Sequence, residues 1–317
     1  MGSSYLALGY ACNHKCICCP LTTYDRMHKP LTFADIKERV ELLEEGAQNA
    51  SHTGVNHIVL SGGEPMLHKD FLKTVELVVE KGFSVTVLSN SSQCCDMALV
   101  QRLKDIASAG HLEVITAIHS STPSIHDSLT GVAGSLLESL EGLDNLLSAK
   151  IPITIKHIFN RISLPTLQET FAYLEEHYPP KVRFQFCTMD YSGMAKKNIG
   201  KLFVTMEEVQ PHIEAVLDYL EERMAKKRQI SFIETPLCMV DPYYWKYYNM
   251  PSNGLAAYIA PNTDDRKAVY DVKSECGTFH KACRGCAVKR WCPGTWISAS
   301  KYRQEGLLSP VSVIEHG

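Results

Sequence analysis

Apolar, β-branched runs alternate with amphipathic helical stretches over residues 5–224, and this alternation narrows the architecture more than any other feature. Candidate strands cover residues 5–9, 55–60, 84–88, 112–118, 151–158 and 182–186. Candidate helices cover residues 33–43, 71–79, 97–106, 135–147, 164–174 and 206–224. Phe33, Ile36, Val40 and Leu43 recur at helical spacing in the first helix, as do Phe71, Leu72, Val75 and Val78 in the second. The strands read as nearly continuous apolar runs, which suits strands covered on both faces. Six strand-then-helix units in series predict an α/β fold of right-handed βαβ repeats around a parallel sheet. Periodicity leaves a closed barrel and an open, doubly wound sheet both available. In either, chemistry belongs on the loops that leave the C-terminal ends of the strands.

The pattern changes near Thr235-Pro236. A last strand candidate covers 230–233. Beyond it come Tyr243-Tyr244-Trp245 and Tyr247-Tyr248, then Pro- and Asn-rich stretches and a group of cysteines. Two domains are expected, 1–235 and a small cysteine-stapled one at 236–317. The aromatic run is expected to line a substrate groove or to pack between the domains. Lys226-Lys227-Arg228 is expected to be the solvated end of a helix, where cations suit the dipole.

The chain has 317 residues and a formal net charge of -3. That balance argues against nucleic acid or an anionic membrane as its main partner. No run of about 18 apolar residues is present to span a membrane. The first residues lack the basic and apolar regions of an export signal, so a cytoplasmic setting is expected. In such a setting 12 cysteines are not a disulfide framework and point instead to thiolate ligation of iron or zinc.

Their distribution supports this. Cys12, Cys16, Cys18 and Cys19 follow the first strand directly. The spacing CxxxCxxC selects Cys12, Cys16 and Cys19. Three thiolates on one short loop fit one face of a [4Fe–4S] cube and leave the fourth iron open for chemistry. The alternative is a zinc loop completed by His14 or a distant residue. The second strand ends in Ser61-Gly62-Gly63-Glu64-Pro65, whose glycines permit close backbone approach and whose carboxylate suits an ammonium group.

CxxxCxxC after strand one and GGEP after strand two together resemble the radical S-adenosylmethionine (SAM) enzymes. The resemblance extends over most of the first 235 residues. Leu88-Ser89-Asn90 resembles the family's strand-three ending, with Ser91 in place of the frequent glycine. Ala117-Ile118-His119-Ser120, followed by His126-Asp127 and Leu129-Thr130-Gly131, resembles the strand-four segment of members with auxiliary clusters. Asn160 ends strand five, and Ser192-Gly193-Met194-Ala195 follows strand six. The resemblance implies a partial (β/α)6 barrel of the TIM type. It implies a SAM-cleaving [4Fe–4S] cluster on Cys12, Cys16 and Cys19. It also implies SAM contacts from Gly62, Gly63, Glu64, Pro65, Asn90, His119, Asn160 and Met194, with Glu64 taking the methionine ammonium. Position 18, often aromatic in the family, is Cys here, and Cys18 could replace Cys19 as third ligand. No counterpart is identified for the group that holds the SAM carboxylate.

Cys276-x6-Cys283-x2-Cys286-x5-Cys292 forms a second constellation of four thiolates within 17 residues. Its CxxC…C core resembles the SPASM and twitch extensions of the same superfamily. The further cysteine of a full SPASM pattern is Trp296 here, which favours one auxiliary [4Fe–4S] cluster. Cys283, Cys286 and Cys292 are its expected ligands, joined by Cys276 or by Cys238 of Pro236-Leu237-Cys238. A zinc knuckle is the alternative.

The resemblance thus implies two clusters and SAM, with reductive cleavage of SAM to methionine and a 5′-deoxyadenosyl radical that abstracts hydrogen from a substrate. Flavodoxin or ferredoxin is the expected type of electron donor. The leading expectation is modification of a ribosomally made peptide, with oxidation or rearrangement of a small molecule as the alternative. A non-enzymatic two-cluster electron carrier is the remote reading. Only 11 residues precede Cys12, so peptide recognition is expected from a separate protein or from the C-terminal domain. Cys94-Cys95 are expected to be plain loop thiols, and Cys187 a core residue rather than a radical relay.

Overall fold

The computed structural model describes residues 2–48, 55–223, 228–248, 257–259, 278–296 and 298–299. Eight strands form one parallel sheet: β1 (Gly2–Ala7), β2 (Val55–Ser61), β3 (Ser84–Leu88), β4 (Leu112–Ala117), β5 (Ile153–Ile158), β6 (Arg183–Cys187), β7 (Ile230–Ile233) and β8 (Ala257–Ile259). Their order is β7-β6-β5-β4-β3-β2-β1-β8. The helices are α1 (Phe33–Gln48), α2 (Phe71–Glu80), α3 (Met97–Ala107), α4 (Pro123–Thr130), α5 (Ser135–Ser148), α6 (Leu167–His177), α7 (Gly193–Lys197), α8 (Ile199–Leu202) and α9 (Met206–Arg223). From β1 to β7 consecutive strands are neighbours, so each crossover advances the sheet by one position, whereas β8 returns to the far side of β1. The result is the expected partial barrel, an α/β half-barrel whose ladder does not close, with helices around it.

One core runs between sheet and helices. Phe71, Val75 and Val78 of α2, and Val209, Ile213, Val216 and Leu220 of α9, are buried at three- and four-residue spacing. Phe159, Phe171, Phe184, Phe186 and Phe232 form its aromatic centre.

The strands are not covered equally on both faces. Along β4, Leu112, Val114 and Thr116 are buried, whereas Glu113, Ile115 and Ala117 are half-exposed. An unclosed barrel leaves a lumen, and polar groups occupy its lower end. Arg183 pairs with Glu113, and His57 bridges the hydroxyls of Ser3 and Thr86 at 2.8 Å each.

The chain after residue 235 returns to this sheet. β8 runs beside β1, with Tyr5 opposite Tyr258. Leu237, Met239, Tyr244 and Tyr248 join the barrel's core. The aromatic run packs rather than forming an open groove. Tyr248 stacks on Phe232 with ring centroids 4.7 Å apart. Tyr244 donates to Asp218 at 2.6 Å, and Tyr243 and Tyr247 donate to Glu221 of α9 at 2.7 and 2.6 Å.

One reading needs correction, and one helix was not foreseen. Arg228 is not solvated: it is 4% exposed, pairs with Glu175 and donates to the carbonyls of Tyr178 and Pro179 at 2.6 and 3.1 Å. With a further bond to the Val182 carbonyl, its guanidinium pins the loop entering β6. His126-Asp127 lies on α4, which sequence periodicity did not reveal. Pro123 begins that short helix and Gly131, at φ 69°, ends it. Asp127 then caps α5, accepting from the Gly134 amide at 2.7 Å and the Leu136 amide at 3.1 Å.

Candidate active site

The loop carrying Cys12, Cys16, Cys18 and Cys19 is held from three sides. Beneath it lies the turn after β2, where the Gly63 amide donates to Gly9 at 2.9 Å and the Glu64 amide to Ala11 at 2.8 Å. A β-carbon on Gly63 would fall 2.1 Å from the Ala11 carbonyl oxygen, so no larger residue fits there. On the second side, the amides of Lys15 and Ile17 donate to Thr130 and Leu129 at the end of α4. On the third, the amides of Ala195 and Met194 in α7 donate to Cys19 and Leu21. Gly193, at φ 52°, lies so close to Pro20 that a β-carbon would meet its carbonyl oxygen at 2.1 Å.

The loop borders an open cleft at the C-terminal ends of the strands. Its empty space, mouth included, is about 1040 Å³. Cys12, Cys16, Cys18 and Cys19 line it, facing Gly62, Gly63, Glu64, Asn90 and His119. Pro65, Asn160 and Met194 are not among its lining residues. Asn160 is fully buried and spent on its own turn: it donates to Ile158 and Ser163 and accepts from the Ile162 and Ser163 amides. Met194 acts through its backbone. Sequence reasoning missed His14 as a lining residue, along with Arg26, His126 and Lys156. Arg26 and Lys156 carry no spacing signal of their own; the fold alone brings them to the cleft.

Glu64 is 3% exposed. Oε1 accepts the Met66 amide at 3.0 Å and the Ser89 hydroxyl at 2.9 Å, and Oε2 accepts the Asn90 amide at 2.8 Å. Burial pushes this carboxyl up to about 7, against the pull of those donors. Asn90 in turn donates to Asn13 Oδ1 at 2.8 Å, tying the β3 loop to the cysteine loop. Ser91, where the family often has glycine, adopts φ 62° and is fully buried against Thr116.

Among the loop thiols, burial pushes Cys12 up to about 11, opposed by the His14 amide 3.4 Å from its sulfur. Cys16 is raised by hydrogen bonding with Cys18 and by burial. Cys19 is raised by burial, opposed by the Leu21 backbone and Arg26. Cys12 and Cys19 each feel the charge of Cys16. Cys18 is buried with Leu129, Met189 and Ala195, its sulfur 3.9 Å from His119 Nε2. The donor set suits a thiophilic metal group: clustered thiols beside an open cleft, with buried nitrogens at His14 Nε2 and His119 Nδ1 that have no partner.

A second hollow, with about 390 Å³ of empty space when its opening is included, is lined by Cys238, Cys283, Cys286 and Cys292. Burial, then the charges of Cys292, Cys283 and Cys286, push Cys238 up to about 12. Cys292 accepts from the amides of Leu237 and Gly294, both at 3.4 Å. Cys276 lies outside the described residues. Among the described residues, no three Cys, His, Asp or Glu side chains are close enough to hold a single metal ion. Cys94 contacts Met66 Sδ at 3.5 Å, Cys95 the Glu138 carbonyl at 3.3 Å, and Cys187 the Glu234 carboxylate at 3.2 Å.

The fold and this loop-lined cleft define a radical SAM protein. Residues 6–174 match the family model of the radical SAM superfamily, and the chain belongs to that superfamily. It is 24% identical over 240 residues to the probable GTP 3′,8-cyclase of Thermococcus kodakarensis, covering 73% of this chain and 71% of that protein. It is also 24% identical to the PqqA peptide cyclase of Rhodopseudomonas palustris over 57% of this chain, and spans less than half of that relative, 46%. In fold it resembles native anSMEcpe with bound AdoMet (TM-score 0.66, 13% identity, 98% of this chain and 93% of the other). It also resembles Streptococcus suis SuiB bound to precursor peptide SuiA (TM-score 0.56, 16% identity, 70% and 46%). No helix among the described residues is long and apolar enough to cross a membrane.

Proposed function

We propose that this chain is a radical SAM enzyme that modifies a peptide, with Cys12, Cys16 and Cys19 holding a [4Fe–4S] cluster. The observation that carries this reading is that these cysteines and the Gly62-Gly63-Glu64 turn border one cleft. When bound, cluster and SAM supply one-electron cleavage of the sulfonium and a radical that abstracts hydrogen. The chain's own residues do the rest. Gly62 and Gly63 let backbone approach the methionine end, and Glu64 offers the remaining capacity of its carboxylate to the ammonium. Cys19 is the third ligand in this reading: it is less buried than Cys18, whose sulfur lies 3.9 Å from His119 Nε2.

Cys238, Cys283, Cys286 and Cys292 are proposed to hold a second, fully thiolate-bound cluster. The lining of one cavity by these four cysteines supports this reading. Such a cluster has no site for substrate and would relay electrons, which suits an oxidative product.

A peptide substrate is supported by the peptide cyclase and by the likeness to SuiB. The likeness to a GTP cyclase over most of both chains supports a small molecule as the second reading. The test is anaerobic incubation with SAM, dithionite and short peptides encoded beside the gene. Formation of 5′-deoxyadenosine together with a peptide mass change supports the first reading. Cleavage of SAM accelerated by a nucleotide and by no peptide supports the second.

A further inference from the structure

His14 lies inside the CxxxCxxC loop, and nothing proposed so far uses it. It is only 3% exposed, yet its Nε2 has no hydrogen-bond partner. Leaving a buried polar nitrogen unpaired is costly, and such orphans are rare in folded proteins. The residue is fixed through its backbone. Its amide points at Cys12 Sγ, 3.4 Å away, and its carbonyl accepts from Arg26 Nη1 at 2.8 Å. The ring borders the cleft beside the three cysteines.

We propose that His14 aims its Nε2–H at a sulfur of the cluster held by Cys12, Cys16 and Cys19, and so stabilises the cluster's reduced state. One-electron reduction adds a negative charge to the cluster. N–H donors to the sulfurs favour the more negative state and raise the reduction potential. His14 is thus a positioning residue for the electron that SAM cleavage requires. This inference rests on the reading of the three cysteines as cluster ligands.

The test is a potentiometric titration of the anaerobically reconstituted full chain, read by electron paramagnetic resonance. The signal followed is the one that changes when SAM is added. In His14→Leu the reduction equilibrium constant is expected to fall about tenfold or more, with unchanged iron; each tenfold is about 59 mV for one electron. His14→Gln keeps an N–H donor and is expected to restore most of the potential. Should His14→Leu fail to fold, His14→Met carries the same comparison. An unmoved potential in the apolar variant overturns the proposal. Loss of iron in both the apolar and the Gln variants also overturns it, because His14 would then be a ligand or a structural post. A wild-type chain with no SAM-responsive signal defeats the underlying reading as well, and this is seen before any variant is made.

Discussion

The Asn90 amide donates to Glu64 Oε2 at 2.8 Å, joining the turn after β2 to the loop after β3. With Met66 and Ser89 on Oε1, the carboxylate receives three protein donors before any ligand arrives. Glu64→Gln converts one of its oxygens into a donor that faces a donor. The variant is expected to lose about 1–3 kcal/mol of stability without SAM present. Denaturant unfolding of the ligand-free protein checks this. A Glu64→Gln chain as stable as wild type would mean that the carboxylate braces nothing.

Gly142 of α5 faces the Ser91 carbonyl so closely that a β-carbon would lie 2.0 Å from its oxygen. Gly142→Ala must therefore push α5 away from the β3 loop. Overpacking of this kind costs about 1–3 kcal/mol. The melting temperature should drop, and SAM affinity should weaken with it as Asn90 shifts. An unchanged melting temperature would refute the contact.

Burial holds His157 and His126 down to about 3, mainly as neutral rings. His157 Nδ1 donates to the Ile118 carbonyl at 3.1 Å, and His126 Nδ1 accepts the His119 amide at 3.2 Å. On acidification the unfolded chain takes up these protons first, near pH 6.5, so stability falls between pH 6.5 and about 3 and is fully present above 6.5. His157→Gln keeps a donor for Ile118 without titrating. Its denaturation midpoint should fall less steeply from pH 7 to 4 than that of wild type. Parallel profiles would remove His157 from the acid response.

For the cysteine loop, Cys12→Ala, Cys16→Ala and Cys19→Ala should each abolish SAM cleavage, while Cys18→Ala leaves it measurable. The assay is 5′-deoxyadenosine release alongside iron content. Loss of the cluster in Cys18→Ala, with retention in Cys19→Ala, would exchange the two assignments.

At the second cavity, reconstituted wild type is expected to carry about eight irons per chain, and Cys238→Ala about four. Iron near four in wild type, with one zinc, would sink the second cluster. Full iron in Cys238→Ala, with loss in Cys276→Ala, would move the fourth ligand to Cys276.

The barrel strands and the two cysteine groups were legible because apolar runs, helical spacing and thiol spacing are local signals. β8 was not: its partner is β1, some 250 residues earlier, and three residues carry no periodicity. α4 was hidden because it is short, opens on Pro123 and contains polar residues whose work is local, such as Asp127 on the α5 amides. Asn160 was expected at the cleft because it ends a strand, yet an asparagine there can equally close its own turn, and it does. His14 was read only as a possible ligand, since burial without a partner is visible only in three dimensions.

The pairing of β8 with β1 has a kinetic consequence. The ladders from β1 through β7 join neighbours in the chain, so they can zip up in order as synthesis proceeds. The β1–β8 ladder spans most of the chain and cannot form until residue 259 has been made. Pairings of such long separation are the slow ones in folding. The strand that launches the cysteine loop therefore keeps one bare flank until late in the protein's birth. Cluster loading before that moment would act on a loop whose strand is only half supported.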